Sequence, residues 1–188
     1  MQRWEHSGRG DHCGGKAELT SAPELISRAE RLVLPGVGAF GQAISRLNEL
    51  GLADAIRKFA ETGRPFLGIC LGMQLMFDWS EEFGRHDGIG LVAGGVVPIP
   101  CTREDGSGHK IPHIGWNEIV PSNGHDDGVG DWSDSILADM ERGSGVYFVH
   151  SFAAVPEDDD HRLADTYYNG RRITAVVSKG SLTGCQFH

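Results

Sequence analysis

The chain has 188 residues, of which 39% are hydrophobic and 23% charged, and its formal net charge is −9. That length suits one compact domain with its own core. The acidic balance argues against a protein that coats nucleic-acid phosphates or binds an anionic membrane, because both partners attract basic patches. The four cysteines are widely spaced and form no CxxC pair, which favours a reduced, cytoplasmic setting over a disulfide framework.

Short apolar runs alternate with helical periods, and this pattern predicts an α/β fold. The predicted helices are Ala22–Arg31, Phe40–Leu50, Leu52–Glu61 and Leu71–Phe77. The predicted strands are Arg31–Leu34, Pro65–Ile69, Ile89–Val92, Gly95–Ile99, Trp116–Val120, Val146–Val149, Ile173–Val177 and Gly184–Phe187. The acidic stretches Gly124–Trp132 and Glu157–Asp160 are predicted to be solvated loops. Residues 1–17 show no apolar alternation and are left unassigned, so the predicted domain spans residues 18–188.

The sharpest local signal is Gly68–Gly72, a G-x-C-x-G segment between a predicted strand and a predicted helix. Flanking glycines allow the sharp turn that presents a nucleophile at the end of a strand. Cys70 would then lie at a helix N-terminus, where we expect the helix dipole to lower the pKa of its thiol. The alternative is a buried core cysteine between coincidental glycines.

A cysteine nucleophile needs a base, and two of the nine histidines follow predicted strands. His188 ends the strand Gly184–Phe187, and His150 follows Val146–Val149. Ligands bind at the carboxyl ends of strands in such sheets, so both are candidates. Of the remaining histidines, His113 is expected to be structural. The other six are expected on the surface: His6, His12, His86, His109, His125 and His161.

The segment Gly36–Gly41 matches G-x-G-x-x-G after a strand. A dinucleotide site would also need an acidic residue at the end of the next strand, but that strand ends in Ile69 and Cys70. We therefore interpret the segment as a glycine-rich turn whose backbone N–H groups face an anion, such as the oxyanion of an acyl intermediate.

Three segments, Leu34–Phe40, Gly68–Gln74 and Gly184–His188, resemble the class I (triad) glutamine amidotransferase family. Three more resemble one branch of it, the glutaminase subunits of imidazole glycerol phosphate synthase in histidine biosynthesis: Gly88–Leu91, Pro112–Asn117 and Val146–Phe152. The resemblance runs from Glu18 to His188. It implies a flavodoxin-like α/β fold with a mixed, mostly parallel sheet flanked by helices.

The resemblance also implies a reaction. Cys70 would attack the side-chain amide of glutamine, His188 would move the proton, and water would hydrolyse the resulting thioester. The implied oxyanion hole is formed by the N–H of Leu71 and, after a peptide flip, by the backbone of Gly36, Val37 and Gly38. The amino-acid end of glutamine would be held by Gln74, His150, Ser151 and Phe152. No metal or cofactor is implied.

The implied partner is a (β/α)-barrel synthase subunit, which receives the ammonia in a heterodimer. It makes imidazole glycerol phosphate and an aminoimidazole carboxamide ribotide.

Two departures from the family pattern stand at the ends of the chain. The family carries Pro-Glu directly after this histidine, and that Glu orients the imidazole, whereas His188 is the last residue here. The family also opens with an apolar strand, which Met1–Lys16 does not resemble. We therefore expect a chain truncated at both ends, without the first strand and the C-terminal helix.

Two other functions stay open from the sequence. The first is a catalytically dead or unstable remnant that acts at most as a binding subunit. The second is a cysteine hydrolase of similar architecture that acts on another acyl substrate.

Overall fold

The computed structural model describes residues 17–122 and 132–188. The unassigned segment 1–17 therefore lies outside the described residues except for Ala17. The predicted loop Gly124–Trp132 also lies outside the described residues, except for Trp132. Trp132 is buried and donates its indole N–H to the carbonyl of Leu163. Within the described ranges, no helix combines the length and the apolar character needed to cross a membrane.

All four predicted helices are present, as α1 Pro23–Arg28, α2 Phe40–Glu49, α3 Leu52–Glu61 and α4 Leu71–Leu75. Gly51 separates α2 from α3 in the left-handed conformation that glycine tolerates best. Helix α1 ends three residues early because Ala29 is already extended. Helix α4 is also shorter than predicted, since Phe77 begins a strand.

The strands are β1 Leu32–Gly36, β2 Phe66–Cys70, β3 Phe77–Ser80, β4 His86–Asp87, β5 Val92–Pro98, β6 His113–Glu118, β7 Val120–Pro121, β8 Gly145–His150, β9 Phe152–Pro156, β10 Arg162–Tyr168, β11 Arg171–Lys179 and β12 Leu182–Cys185. The polar loop predicted at Glu157–Asp160 contains the start of a 3₁₀ turn, Asp159–His161.

The predicted strand Ile89–Val92 is wrong in all but its last residue. The backbone N–H groups of Gly88, Ile89 and Gly90 turn back to carbonyls of residues 75–78 instead of pairing with a strand. The sequence patterns also missed β3, β4, β9 and β10.

The main sheet has six strands in the order β1-β2-β12-β11-β10-β7. Parallel pairing joins β1 to β2 and β2 to β12, and the other three pairings of this sheet are antiparallel. The sheet is mixed as predicted, but the expectation of mostly parallel pairing does not hold for the described strands. A second sheet has the order β4-β3-β5-β9, and a third pairs β6 with β8.

The largest apolar cluster packs the helices against β1, β2 and the second sheet. Its most deeply buried large side chains include Phe40, Phe59, Met73 and Phe77. In α3 the buried residues recur at helical spacing, as Leu52, Ala55, Ile56 and Phe59. A second cluster, built on Phe148 and Val176 among others, lies beneath β8, β10 and β11.

Glycines allow α4 to pack unusually close to the main sheet. A Cβ on Gly72 would lie 1.7 Å from the carbonyl oxygen of Leu34, and one on Gly68 would lie 2.7 Å from the sulfur of Met76. On the neighbouring strand, a Cβ on Gly184 would lie 2.7 Å from Cγ of Met73. These close contacts determine where the start of α4 lies relative to the end of β2.

We expect Gly72→Ala to cost at least about 3 kcal/mol of unfolding free energy, because the added methyl group meets a rigid backbone oxygen. The control is Gly108→Ala, where a Cβ meets no atom within 4 Å and the expected change is about 0.5 kcal/mol or less. Urea unfolding of both variants measures the difference. Equal stability of the two variants would contradict the close packing described for α4.

Candidate active site

Cys70 ends β2 and directly precedes α4, with backbone angles φ 54° and ψ −112°. A side chain other than glycine rarely adopts positive φ, and such strain clusters at functional sites. The turn is the one predicted for a nucleophile between Gly68 and Gly72. It presents the Cys70 side chain to a cavity at the carboxyl end of β2.

The cavity has a volume of about 360 Å³, within the range of small-molecule sites. It brings together nearly all the site residues predicted from the sequence: Val37, Gly38, Cys70, Leu71, Gln74, His150, Ser151, Phe152 and His188. The exception is Gly36, which ends β1 in register with Cys70. A Cβ on Gly36 would lie 3.1 Å from Cβ of Leu71, so this glycine packs against Leu71 and is not among the residues that line the cavity.

The pKa of the Cys70 thiol is raised, because burial of the side chain disfavours the charged thiolate. Hydrogen bonds from the backbone of Leu71 and from the Gln186 side chain oppose this effect and are the weaker influence. The expectation of a lowered pKa at this helix N-terminus is therefore wrong. The resting residue is a thiol, which needs a base as it reacts.

His188 lies three residues beyond the end of β12, not directly after it. Its backbone N–H donates to the carbonyl of Tyr147 at 3.2 Å, which ties the end of the described chain to β8. The residue is exposed and lines the same cavity as Cys70. The structure thus places a predicted nucleophile and a predicted base at one cavity.

Gln74 is buried, and the nitrogen of its side-chain amide makes two hydrogen bonds within the protein. Its Nε2 donates to the carbonyl of Phe152 at 3.1 Å and to Oε1 of Gln186 at 2.9 Å. The Phe152 carbonyl also accepts a hydrogen bond from Nδ1 of His150 at 2.9 Å. Both donors hold this backbone group in the cavity wall.

His113 is fully buried, as expected of a structural residue, and contacts the cavity histidine directly. Its Nδ1 lies 3.0 Å from Nε2 of His150, and its Nε2 lies 3.0 Å from Oδ1 of Asn117. The ring stacks on Phe148 and Tyr168, with centroid distances of 4.8 and 4.1 Å. A polar chain therefore runs from β6 to the wall of the cavity.

Two opposing influences act on the protonation of this histidine pair. Three contacts of these rings each need one N–H group: His150 to the Phe152 carbonyl, His113 to His150, and His113 to Asn117. Two neutral imidazoles supply only two N–H groups. Burial opposes a third proton, and it lowers the pKa of His113 and lowers that of His150 to about 4. Burial is the larger influence on both rings, so the pair is neutral at pH 7 and one contact lacks its hydrogen.

Two polar residues at the site were not identified from the sequence. Gln186 is fully buried and its Nε2 lies 3.6 Å from Sγ of Cys70. Glu82 lines the cavity, and its Oε2 accepts a hydrogen bond from the N–H of Phe40 at 2.6 Å. The only sequence signal for a role of Gln186 is weak: it is a polar residue between the apolar Cys185 and Phe187. Glu82 follows a strand that the patterns missed, and no signal singles it out.

Metal ions in proteins are bound by sets of ligand side chains that lie close together. Among residues 17–122 and 132–188, no group of three or more His, Cys, Asp or Glu side chains is placed to hold a metal ion.

The sequence profile of the family described as "Glutamine amidotransferase class-I" matches residues 16–188. The chain belongs to this family. A Legionella pneumophila (strain Lens) protein named "Imidazole glycerol phosphate synthase subunit HisH 1" is 52% identical over 170 residues, which cover 90% of this chain and 78% of that protein. A Geobacillus relative named "Imidazole glycerol phosphate synthase subunit HisH" is 44% identical over 90% of the chain and 75% of its own length.

The fold agrees with this family membership. A solved structure described as "Crystal structure of glutamine amidotransferase" aligns with a TM-score of 0.66 at 15% identity. The alignment covers 95% of this chain and 80% of that one. At this identity the likeness concerns the class I amidotransferase fold alone.

The pH dependence of stability tests the burial of His150. Its pKa is 6.5 in the absence of the fold and about 4 in the folded chain, so between these values the unfolded chain binds a proton that the folded chain does not. Its contribution to the unfolding free energy should therefore fall as the pH drops from 6.5 to 4, by at most about 3 kcal/mol.

Urea unfolding at pH 7.5 and pH 5 measures this loss. His150→Asn should lose less stability between the two pH values than the parent chain. His86→Asn, on β4 outside the cavity lining, should leave the His150 contribution in place. Equal losses in the parent and in His150→Asn would show that folding does not lower the pKa of His150.

Proposed function

We propose that this chain hydrolyses glutamine to glutamate and ammonia as the glutaminase subunit of an imidazole glycerol phosphate synthase. The ammonia is used in histidine biosynthesis in the cytoplasm. The observation that carries the proposal is the strained turn that places Cys70 in one cavity with His188. The names of the Legionella and Geobacillus relatives supply the biological setting.

In the first step, Cys70 Sγ attacks the side-chain amide carbon of glutamine, and His188 takes the thiol proton. The raised pKa of the thiol makes this proton transfer part of the attack. The oxyanion that forms is stabilised by the backbone N–H of Leu71 and by the turn at Val37 and Gly38. The C–N bond then breaks, and His188 returns the proton to the leaving ammonia.

In the second step, water attacks the γ-glutamyl thioester. His188 takes a proton from this water and returns it to Sγ of Cys70 as the C–S bond breaks, so glutamate leaves and the thiol is restored. The atoms and charges balance without a metal or redox cofactor, since the reaction is the hydrolysis of an amide.

The far side of the cavity suits the amino-acid end of glutamine. Glu82 supplies a carboxylate as a counter-charge for the α-ammonium group. Ser151 and Phe152 supply backbone groups, and Gln74 and His150 hold the Phe152 carbonyl in place. In this proposal, Gln74 and His150 fix the shape of the substrate pocket through this shared acceptor.

The sheet of β6 and β8 has one buried face and one exposed, largely apolar face. His113, Phe148 and His150 point inward and are buried. The opposite face, which ends at Glu118 and Gly145, carries four apolar or aromatic residues that are exposed or half-buried, namely Ile114, Trp116, Tyr147 and Val149. We call these four residues the outer β6–β8 face.

An exposed apolar face of this kind marks a protein interface. Val149 belongs both to this face and to the cavity lining, so the cavity lies beside the face. We propose that a (β/α)-barrel synthase subunit covers the outer β6–β8 face and receives ammonia there.

Replacing the nucleophile tests the reaction. Cys70→Ala should reduce glutamate release to the background rate in the presence of the barrel subunit, because no thioester can form. The matched control is Cys101→Ala, which removes an exposed cysteine and should keep the parent activity. Glutamate is measured with an enzyme-coupled assay.

The other functions give different results in the same assay. A parent chain that binds the barrel subunit and releases no glutamate would support the binding-subunit hypothesis. Cleavage of simple thioesters or esters, with no cleavage of glutamine, would support another cysteine hydrolase. Full activity of Cys70→Ala would overturn the assignment of the nucleophile.

The partner surface is tested by Trp116→Ala. Trp116 is 74% exposed, and a central Trp commonly supplies a large share of interface energy, so we expect the affinity for the barrel subunit to fall by about tenfold or more. Val155→Ala removes an exposed side chain on β9 and should leave the affinity unchanged. Titration calorimetry measures both, and equal affinities would place the interface elsewhere.

A further inference from the structure

We propose that Gln186 is a positioning residue that orients the sulfur of Cys70 and stabilises its thiolate. The Gln186 side chain is fully buried, and its Nε2 donates to Sγ of Cys70 at 3.6 Å. Gln186 follows β12, which pairs in parallel with β2, the strand that ends at Cys70. The two side chains therefore meet where neighbouring strands end.

The amide of Gln186 has one orientation in this network. Its Oε1 accepts a hydrogen bond from Nε2 of Gln74 at 2.9 Å, and an amide nitrogen at that position would place two donors against each other. The nitrogen end of Gln186 must therefore face the sulfur. Gln74 is itself fixed, because its Nε2 also donates to the carbonyl of Phe152 at 3.1 Å.

The backbone holds Gln186 as firmly as the side-chain contacts do. Its N–H donates to the carbonyl of Ala175 on β11 at 2.9 Å. The backbone of Gln186 and the oxygen of its side-chain amide are thus both held in place, and the amide nitrogen is directed at Cys70. A residue held in this way can stabilise charge on the sulfur without reorganising.

The thiolate of Cys70 needs such a donor because burial raises the pKa of the thiol. The influences that lower it are the backbone hydrogen bond from Leu71 and the side-chain hydrogen bond from Gln186. Other titratable groups around the sulfur are the cavity residues Glu82, His150 and His188, and Cys185 on β12. Gln186 is the neutral side chain that donates directly to the sulfur.

This inference rests on the proposed function only for its catalytic consequence. Formation of the thiolate can be followed by alkylation, whether or not glutamine is hydrolysed. The test is the Gln186→Met variant, which keeps a side chain of similar length and removes the donor. Iodoacetamide labelling is followed at Cys70 by peptide mass spectrometry over a range of pH.

We expect Gln186→Met to slow the labelling of Cys70 at neutral pH by about tenfold, since a hydrogen bond to a charged group is lost. The midpoint of the pH profile should move to higher pH. The exposed Cys101 in the same chain is the internal control, and its labelling should not change. In the glutaminase assay, kcat should fall more than KM rises.

A pH profile for Cys70 that is unchanged in folded Gln186→Met would overturn the proposal and assign Gln186 to packing alone. If that variant does not fold, Gln74→Met takes its place. It frees the oxygen end of Gln186 and should shift the Cys70 profile in the same direction, and an unchanged profile there also overturns the proposal. A shifted profile in a chain that does not hydrolyse glutamine would uphold the role of Gln186 and contradict the proposed function.

Discussion

The contact between α4 and β1 is so close that a Cβ on Gly72 would lie 1.7 Å from the carbonyl oxygen of Leu34. Only glycine fits at this position. The close contact lets α4 begin at Leu71, directly after β2 ends at Cys70. The chain must then reverse within one residue, and Cys70 takes the strained backbone conformation. The position of Cys70, the proposed nucleophile, thus follows from steric limits on its glycine neighbours, and the other cavity residues lie around it.

The two faces of the small β6–β8 sheet serve different purposes. The inner face carries His113 and His150, which continue a polar chain through the Phe152 carbonyl and Gln74 to Gln186 and the Cys70 sulfur. The outer face is apolar and exposed. Because side chains alternate across a strand, one pair of strands connects the interior of the catalytic site to the surface proposed for the partner.

Sequence patterns predicted the helices, β1, β2 and the Cys70 turn, because these elements combine apolar periodicity with glycine punctuation. The patterns failed where tertiary packing decides the structure. Ile89–Val92 looks apolar enough for a strand, yet its N–H groups donate to carbonyls of residues 75–77. The direction of the Cys70 pKa depends on burial, which local spacing does not reveal. Gln186 reaches the Cys70 sulfur, and Glu82 reaches the cavity, only because segments distant in sequence pack together.

The strained turn also sets function against stability. Glycine would adopt the backbone angles of residue 70 without the cost of about 1–3 kcal/mol that a side chain incurs there. Laboratory evolution of this chain for heat resistance alone would therefore tend to replace the cysteine by glycine and so remove the proposed nucleophile. With Cys70 as the proposed nucleophile, selection for activity keeps this turn away from its stability optimum.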